Sequence, residues 1–209
     1  MPGEAFEHVR QAAGEVLPVV EYRTELYDHL RRMEGVVWKL ERAQHFHEPD
    51  TPSWVAMMSG DWDRSLSLMA EMRFADDLPP RAELRRLRIV EMPPTPYLQW
   101  EIVLLAARTR AGERARALHA RSVRRLETRA PLPELLIVDR DLMYEILYDE
   151  IGAHVGGRRI TDTRVVGDCT RAVAELYAGA EDMVAFHDRE VARLPPPGTG
   201  RILSRPGHP

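Results

Sequence analysis

The stretch from Pro93 to Arg110 constrains the fold most. Pro93, Pro94 and Pro96 form a rigid turn, and the sequence after them is helical in pattern and apolar on nearly every side through Leu105. A helix of that kind is a buried one, so the rest of the chain must supply layers that enclose it. The neighbouring segments fit that demand. Strand patterns fall at 36–41, 84–91, 115–118, 135–138 and 142–149. The run Leu135-Leu136-Ile137-Val138 suits a central strand buried on both faces. After the turn residues Asp139, Arg140 and Asp141, positions 142–149 alternate, which predicts a hairpin. Helical patterns cover 4–13, 19–34, a short run from Pro52, 62–73 with Phe74 on its stripe, a long run after Thr161-Asp162, and 181–193. The expected fold is α/β or α+β, with a mixed sheet of about five strands flanked by helices. Residues 1–35 read as an N-terminal helical extension that caps the domain or pairs with a second copy, 36–197 as the α/β domain, and 198–209 as a flexible tail.

The inventory removes whole classes of chemistry. Lys39 is the single lysine of the 209 residues, so no Walker loop exists, and Schiff-base chemistry would fall to a residue in a strand-like run without signs of a cofactor pocket. Glycine patterns for dinucleotide binding and for a nucleophile elbow are absent, and one cysteine excludes disulfide frameworks and cysteine zinc sites. Cys169 lies on an apolar helical stripe and reads as a packed thiol. No apolar stretch is long enough to span a membrane and no basic–apolar leader opens the chain, so a cytoplasmic location is expected. Nothing calls for a cofactor.

Charge is unevenly spread: the net charge is −4, yet residues 81–129 carry 12 basic and 5 acidic groups. Such a segment either neutralises its acidic neighbours across the folded surface or forms an exposed patch. No recognition-helix motif accompanies it, which argues against direct nucleic-acid contact.

Glu101 is the most informative acid. It sits among Tyr97, Leu98, Trp100, Ile102 and Leu105, where an unpaired carboxylate is too costly, and Arg88 on the preceding strand is its natural partner. Two readings follow. One is a structural ion pair; the other is a ligand pocket in which Arg88 and Glu101 are walled by Tyr97 and Trp100. His45 and His47 flank Phe46 and would project to one side of an extended chain, but two histidines without a third ligand do not make a metal site. Asp139, Asp141, Glu145 and Asp149 read as turn and surface acids. Trp38, Trp54, Trp62 and Trp100 read mainly as core.

A series of motifs carries a family resemblance. It runs through Trp38 to Pro49, Pro52-Ser53-Trp54, Ser59 to Trp62, Arg88 to Glu101, Ala111-Gly112-Glu113, Leu142 to Asp149, Gly179 to Asp182 and Arg189 to Pro197. Together these resemble an actinobacterial family of unknown function whose members are often encoded beside helix-turn-helix regulators. The order of segments also resembles, more weakly, degenerate phospholipase-like domains used as regulatory modules. The resemblance implies a non-enzymatic partner or sensor of a helix-turn-helix regulator, with a small-molecule ligand and a homodimer both open. The alternative is a cofactor-independent enzyme of specialised metabolism using Glu101 with Arg88 and Tyr97.

Overall fold

The structure is a computed structural model that describes residues 2–72, 79 and 81–198. Along the chain run α1 (Pro2–Gln11), β1 (Glu15–Pro18), α2 (Val19–Leu30), β2 (Gly35–Glu41), α3 (Pro52–Met58), α4 (Trp62–Glu71), β3 (Ala82–Val90) and α5 (Pro96–Arg110). These are followed by β4 (Arg114–His119), α6 (Ala120–Val123), β5 (Leu135–Asp139), β6 (Leu142–Tyr148), β7 (His154–Ile160), α7 (Thr163–Ala178), β8 (Glu181–Asp182) and α8 (Met183–Glu190). Phe74 and the expected tail from 199 onward lie outside the described residues.

The strands form one mixed sheet in the order β1-β7-β6-β5-β2-β3-β4-β8. It has eight strands where the sequence patterns predict about five. The three extra strands are weak in pattern: β1 has four residues, β8 has two, and β7 reads His-Val-Gly-Gly-Arg-Arg-Ile. Tertiary contacts override propensity in β7. Its Arg158 donates to the carbonyls of Val9 (2.7 Å) and Ala12 (2.6 Å), satisfying the end of α1, and pairs with Glu145 at 2.7 Å. Its Gly157 pairs with Leu17, and a Cβ there would lie 2.5 Å from the Tyr22 ring.

β2, β3 and β4 are parallel and are linked through α3–α4 and α5, whereas β5, β6 and β7 form an antiparallel meander. Alternation along β2 assigns the two faces. Trp38 and Leu40 face α1 and α7, where Phe6, Val9, Val166, Cys169 and Val173 complete a core with Leu87, Ile89, Ile137 and Met143. Burial pushes the Cys169 thiol up to about 12, so it remains a protonated packing group.

The opposite face is covered by two separate helical layers. Tyr22 and Leu26 of α2 lie over Leu136, Val138, Leu142 and Tyr144. Leu98, Ile102 and Leu105 of α5 lie over Val90, Ala115 and Ala117, with Met183 and Phe186 of α8 beside them. Trp54, Met57 and Met69 of α3 and α4 pack against Tyr97, Trp100 and Leu104 of α5. Trp38, Trp54 and Trp100 are thus buried and Trp62 half-buried. Thr95 caps α5 by accepting from the Leu98 amide and donates to the Gln44 carbonyl at 2.8 Å, which ties the helix to the loop after β2.

Candidate functional site

The two helical layers part over β2, and there the strand turns Val37, Lys39 and Glu41 toward them. Register sets their neighbours. Leu136, Lys39, Arg86 and Ala115 form one cross-strand row, and Glu41, Arg88 and Ala117 form the next. Charges on four adjacent positions of central strands need partners, and they find them locally. Lys39 Nζ and Arg86 Nη1 both meet Glu41 Oε1, each at 2.7 Å. Arg86 Nε donates to Glu113 Oε1 at 2.6 Å, and Arg108 donates to the other oxygen of the same carboxylate. Arg88 Nε donates to Glu101 Oε2 at 2.7 Å, and its guanidinium lies over the Phe46 ring. Glu134, just before β5, accepts from the amides of Arg42 (2.7 Å) and Ala43 (2.5 Å).

The network is not saturated. Glu41 Oε2, Glu134 Oε2, Arg88 Nη2 and the Trp100 indole nitrogen are buried without a hydrogen-bond partner among the described residues. Its acids differ accordingly. At Glu41 burial works upward, but Arg86, Lys39 and Arg88 outweigh it and hold the carboxyl well below the usual range. Burial pushes Glu101 up to about 7, with Arg88 pulling against it and Glu41 adding to the rise. Burial also raises Glu134. Tyr97, raised by burial and by Glu101 and Glu48, stays a phenol and donates to Glu48 Oε1 at 2.8 Å.

Beside this network runs a cleft with two lobes that share Tyr22, Leu26, Tyr27, Lys39 and Ile146. The larger, about 630 Å³, lies between α2 and the Arg86–Arg108 side. The smaller, about 430 Å³, reaches Glu41, His47, Glu48, Asp50, Tyr148 and His154. Both are within the range of roughly 300–1,000 Å³ common for small-molecule sites.

The residues expected from sequence are brought together, but inside the protein. Arg88, Tyr97, Trp100 and Glu101 are all buried, and none of them lines the cleft. Arg88 and Glu101 pair as their setting requires. His45 and His47 part company: His45 stacks edge-on to Tyr97 and His47 to Trp54. No group of three or more metal-ligating side chains occurs among the described residues. Asp149 accepts from the Ile151 and Ala153 amides in its turn, and Glu145 pairs with Arg158. The basic middle segment is divided. Arg86, Arg88 and Arg108 turn into ion pairs, while Arg121, Arg124 and Arg125 are exposed around α6.

The cleft residues that sequence patterns miss are Lys39, Glu41, Tyr22 and His154. Lys39 did carry a signal, since one lysine among 28 arginines stands out within an apolar strand. Glu41 carried none, because a strand-end acid reads as surface.

A family model for a domain of unknown function, DUF6879, matches residues 24–188. The chain belongs to that family. No curated protein matches it. Among solved structures it is similar to TrmBL2, an archaeal chromatin protein, with 13% identity and a TM-score of 0.35. That match covers 80% of this chain and 52% of the other, so the chain spans about half of that protein's length. No helix among the described residues is long and apolar enough to cross a membrane.

Proposed function

We propose that this chain is a non-enzymatic regulatory module that acts in the cytoplasm by contact with a helix-turn-helix regulator, and that a small ligand in the cleft beneath α2 modulates that contact. One observation carries the ligand site: the buried Glu41 Oε2, without a hydrogen-bond partner among the described residues, belongs to a residue that lines an open cleft beside the partly buried Lys39. That oxygen is closed off from solvent and lacks a donor among the described residues, an unmet demand that a group reaching past Lys39 would satisfy. The regulator as partner rests on the family resemblance alone, which implies genes placed beside such regulators. The position of Glu101 favours sensing over catalysis. It is the acid whose pKa suits proton transfer near neutrality, yet it does not line the cleft.

The test is co-purification of the full chain with any helix-turn-helix proteins encoded beside it, using wild type, Lys39→Met and Glu101→Gln. Wild type and Glu101→Gln are expected to retain a regulator, and Lys39→Met to change how the complex responds to a cell extract of small molecules. Failure with every adjacent regulator overturns the partner. A turnover assay abolished by Glu101→Gln, with the complex intact, gives the enzyme reading instead.

A further inference from the structure

Most of the described arginines sit in ion pairs. Three that do not stand together. Arg121 lies on α6, and Arg124 and Arg125 follow on the 3-10 turn Arg124–Leu126. All three are exposed, and their side chains have no ion pair or hydrogen bond among the described residues. Spacings of three and four along a helical turn set Arg124 and Arg125 beside Arg121, where like charges repel. The turn is pinned nonetheless: Val123 is fully buried in the core that holds Phe6 and Val9, and Leu126 packs on it. Side chains presented from a fixed turn lose less freedom on binding.

A groove of about 490 Å³ opens beside them. Arg121 and Arg124 line it, as do Val90 and the exposed Met92. Its acids are already engaged, with Glu91 at 2.8 Å and Glu127 at 2.5 Å from nitrogens of Arg42. Asp76 and Asp77, the acids outside the described residues, precede Ala82, and register sets Ala82 and His119 at opposite ends of β3 and β4.

We propose that this surface docks an acidic segment of a partner protein, with its carboxylates on Arg121, Arg124 and Arg125 and an apolar side chain in the groove against Val90 and Met92. This goes beyond the regulator reading, because it fixes the chemistry of the partner's surface and not its family. Planar guanidinium groups suit carboxylates, which they bind in paired hydrogen bonds. They suit phosphates equally, so the groove decides between polymers. A nucleic acid carries a charge at every unit and would bring phosphate against the exposed Glu91, whereas a polypeptide can set an uncharged residue there.

The probe is a fluorescent peptide of glutamates interrupted by leucines, titrated with the full-length chain at low salt and read by anisotropy. A version with serine for leucine, a basic peptide and a short DNA duplex are run beside it. The variants are Arg121→Glu with Arg124→Glu and, as a charge-matched control, Arg140→Glu with Arg164→Glu, all at exposed positions. The acidic peptide is expected to bind and the basic one not to. The first pair of substitutions should weaken binding about tenfold, and the control pair less than about threefold. Serine for leucine should weaken it severalfold. Equal loss in both variant pairs means attraction to the whole molecule and overturns the assignment to this surface. No loss on replacing leucine overturns the groove's part in it. Duplex binding as tight as the peptide's, and lost with Arg121 and Arg124, makes this a phosphate-binding face and overturns the protein segment, as does absence of peptide binding. The probe contains no regulator, so failure here leaves the regulator reading to its own co-purification test.

Discussion

At the scale of single residues, Glu101 and Arg88 show how an internal ion pair constrains a core. Arg88 is fully buried, so truncating its partner leaves a guanidinium short of compensation. Glu101→Ala is expected to cost about 3–5 kcal/mol in urea unfolding. The pair also gives stability a pH dependence. The folded pKa of Glu101, about 7, stands above its ordinary value of 4.5, so the native protein holds more protons between these values than the unfolded chain. Stability from this group is fully present below about 4.5 and is lost as pH rises through about 7. Glu134, also raised, acts in the same direction, while His45 and His154, lowered chiefly by burial, act in the opposite one. The difference in unfolding free energy between wild type and Glu101→Gln separates out this one group. It should decline from pH 5 to 7 and level off above; a difference that is flat throughout would mean Glu101 stays ionised in the folded protein.

At the scale of elements, legibility followed the strength of local pattern. The all-round apolar α5, the run at 135–138 and the alternation at 142–149 are local signals, and each became the expected element, the last ending one residue earlier at Tyr148. The pairing of Arg88 with Glu101 was legible for a related reason, since a carboxylate on an apolar helix must find a cation. β7 was not legible, because what makes it a strand comes from distant partners: Arg158 ends α1, Arg159 meets Glu25 of α2 at 2.8 Å, and the glycines admit β1 and Tyr22. The cleft was illegible too, since it exists only where α2 and α5 stop covering β2, which no single segment encodes. The glycine argument can be checked. Gly157→Ala places a methyl group 2.5 Å from the buried Tyr22 ring, so the ring must leave its seat over β7. A loss of about 1–3 kcal/mol is expected from such overpacking. Urea unfolding reads it, and an unchanged midpoint would show that Tyr22 can shift without cost.

At the scale of the whole molecule, the described residues of the charged layer between the sheet and α5 set four cations against four carboxyls of unlike character. Lys39, Arg86, Arg88 and Arg108 stand against Glu41, Glu101, Glu113 and Glu134, while burial favours the neutral acid at two of the four carboxyls. The two kinds of deletion should therefore differ in cost. Glu41→Gln removes the anion shared by Lys39 and Arg86 and leaves Arg86 buried with Glu113 alone, so a loss of about 3–5 kcal/mol is expected. Lys39→Met keeps the stem that lies along the cleft and leaves Glu41 held by Arg86, so stability should stay within about 1 kcal/mol of wild type. Urea unfolding of both variants at one pH decides the matter. Strong loss at Glu41 with little at Lys39 means the lysine is dispensable to the fold and is available at the cleft for another contact. Equal losses would make Lys39 a structural member of the layer, and the fold alone would then account for the one lysine in the chain.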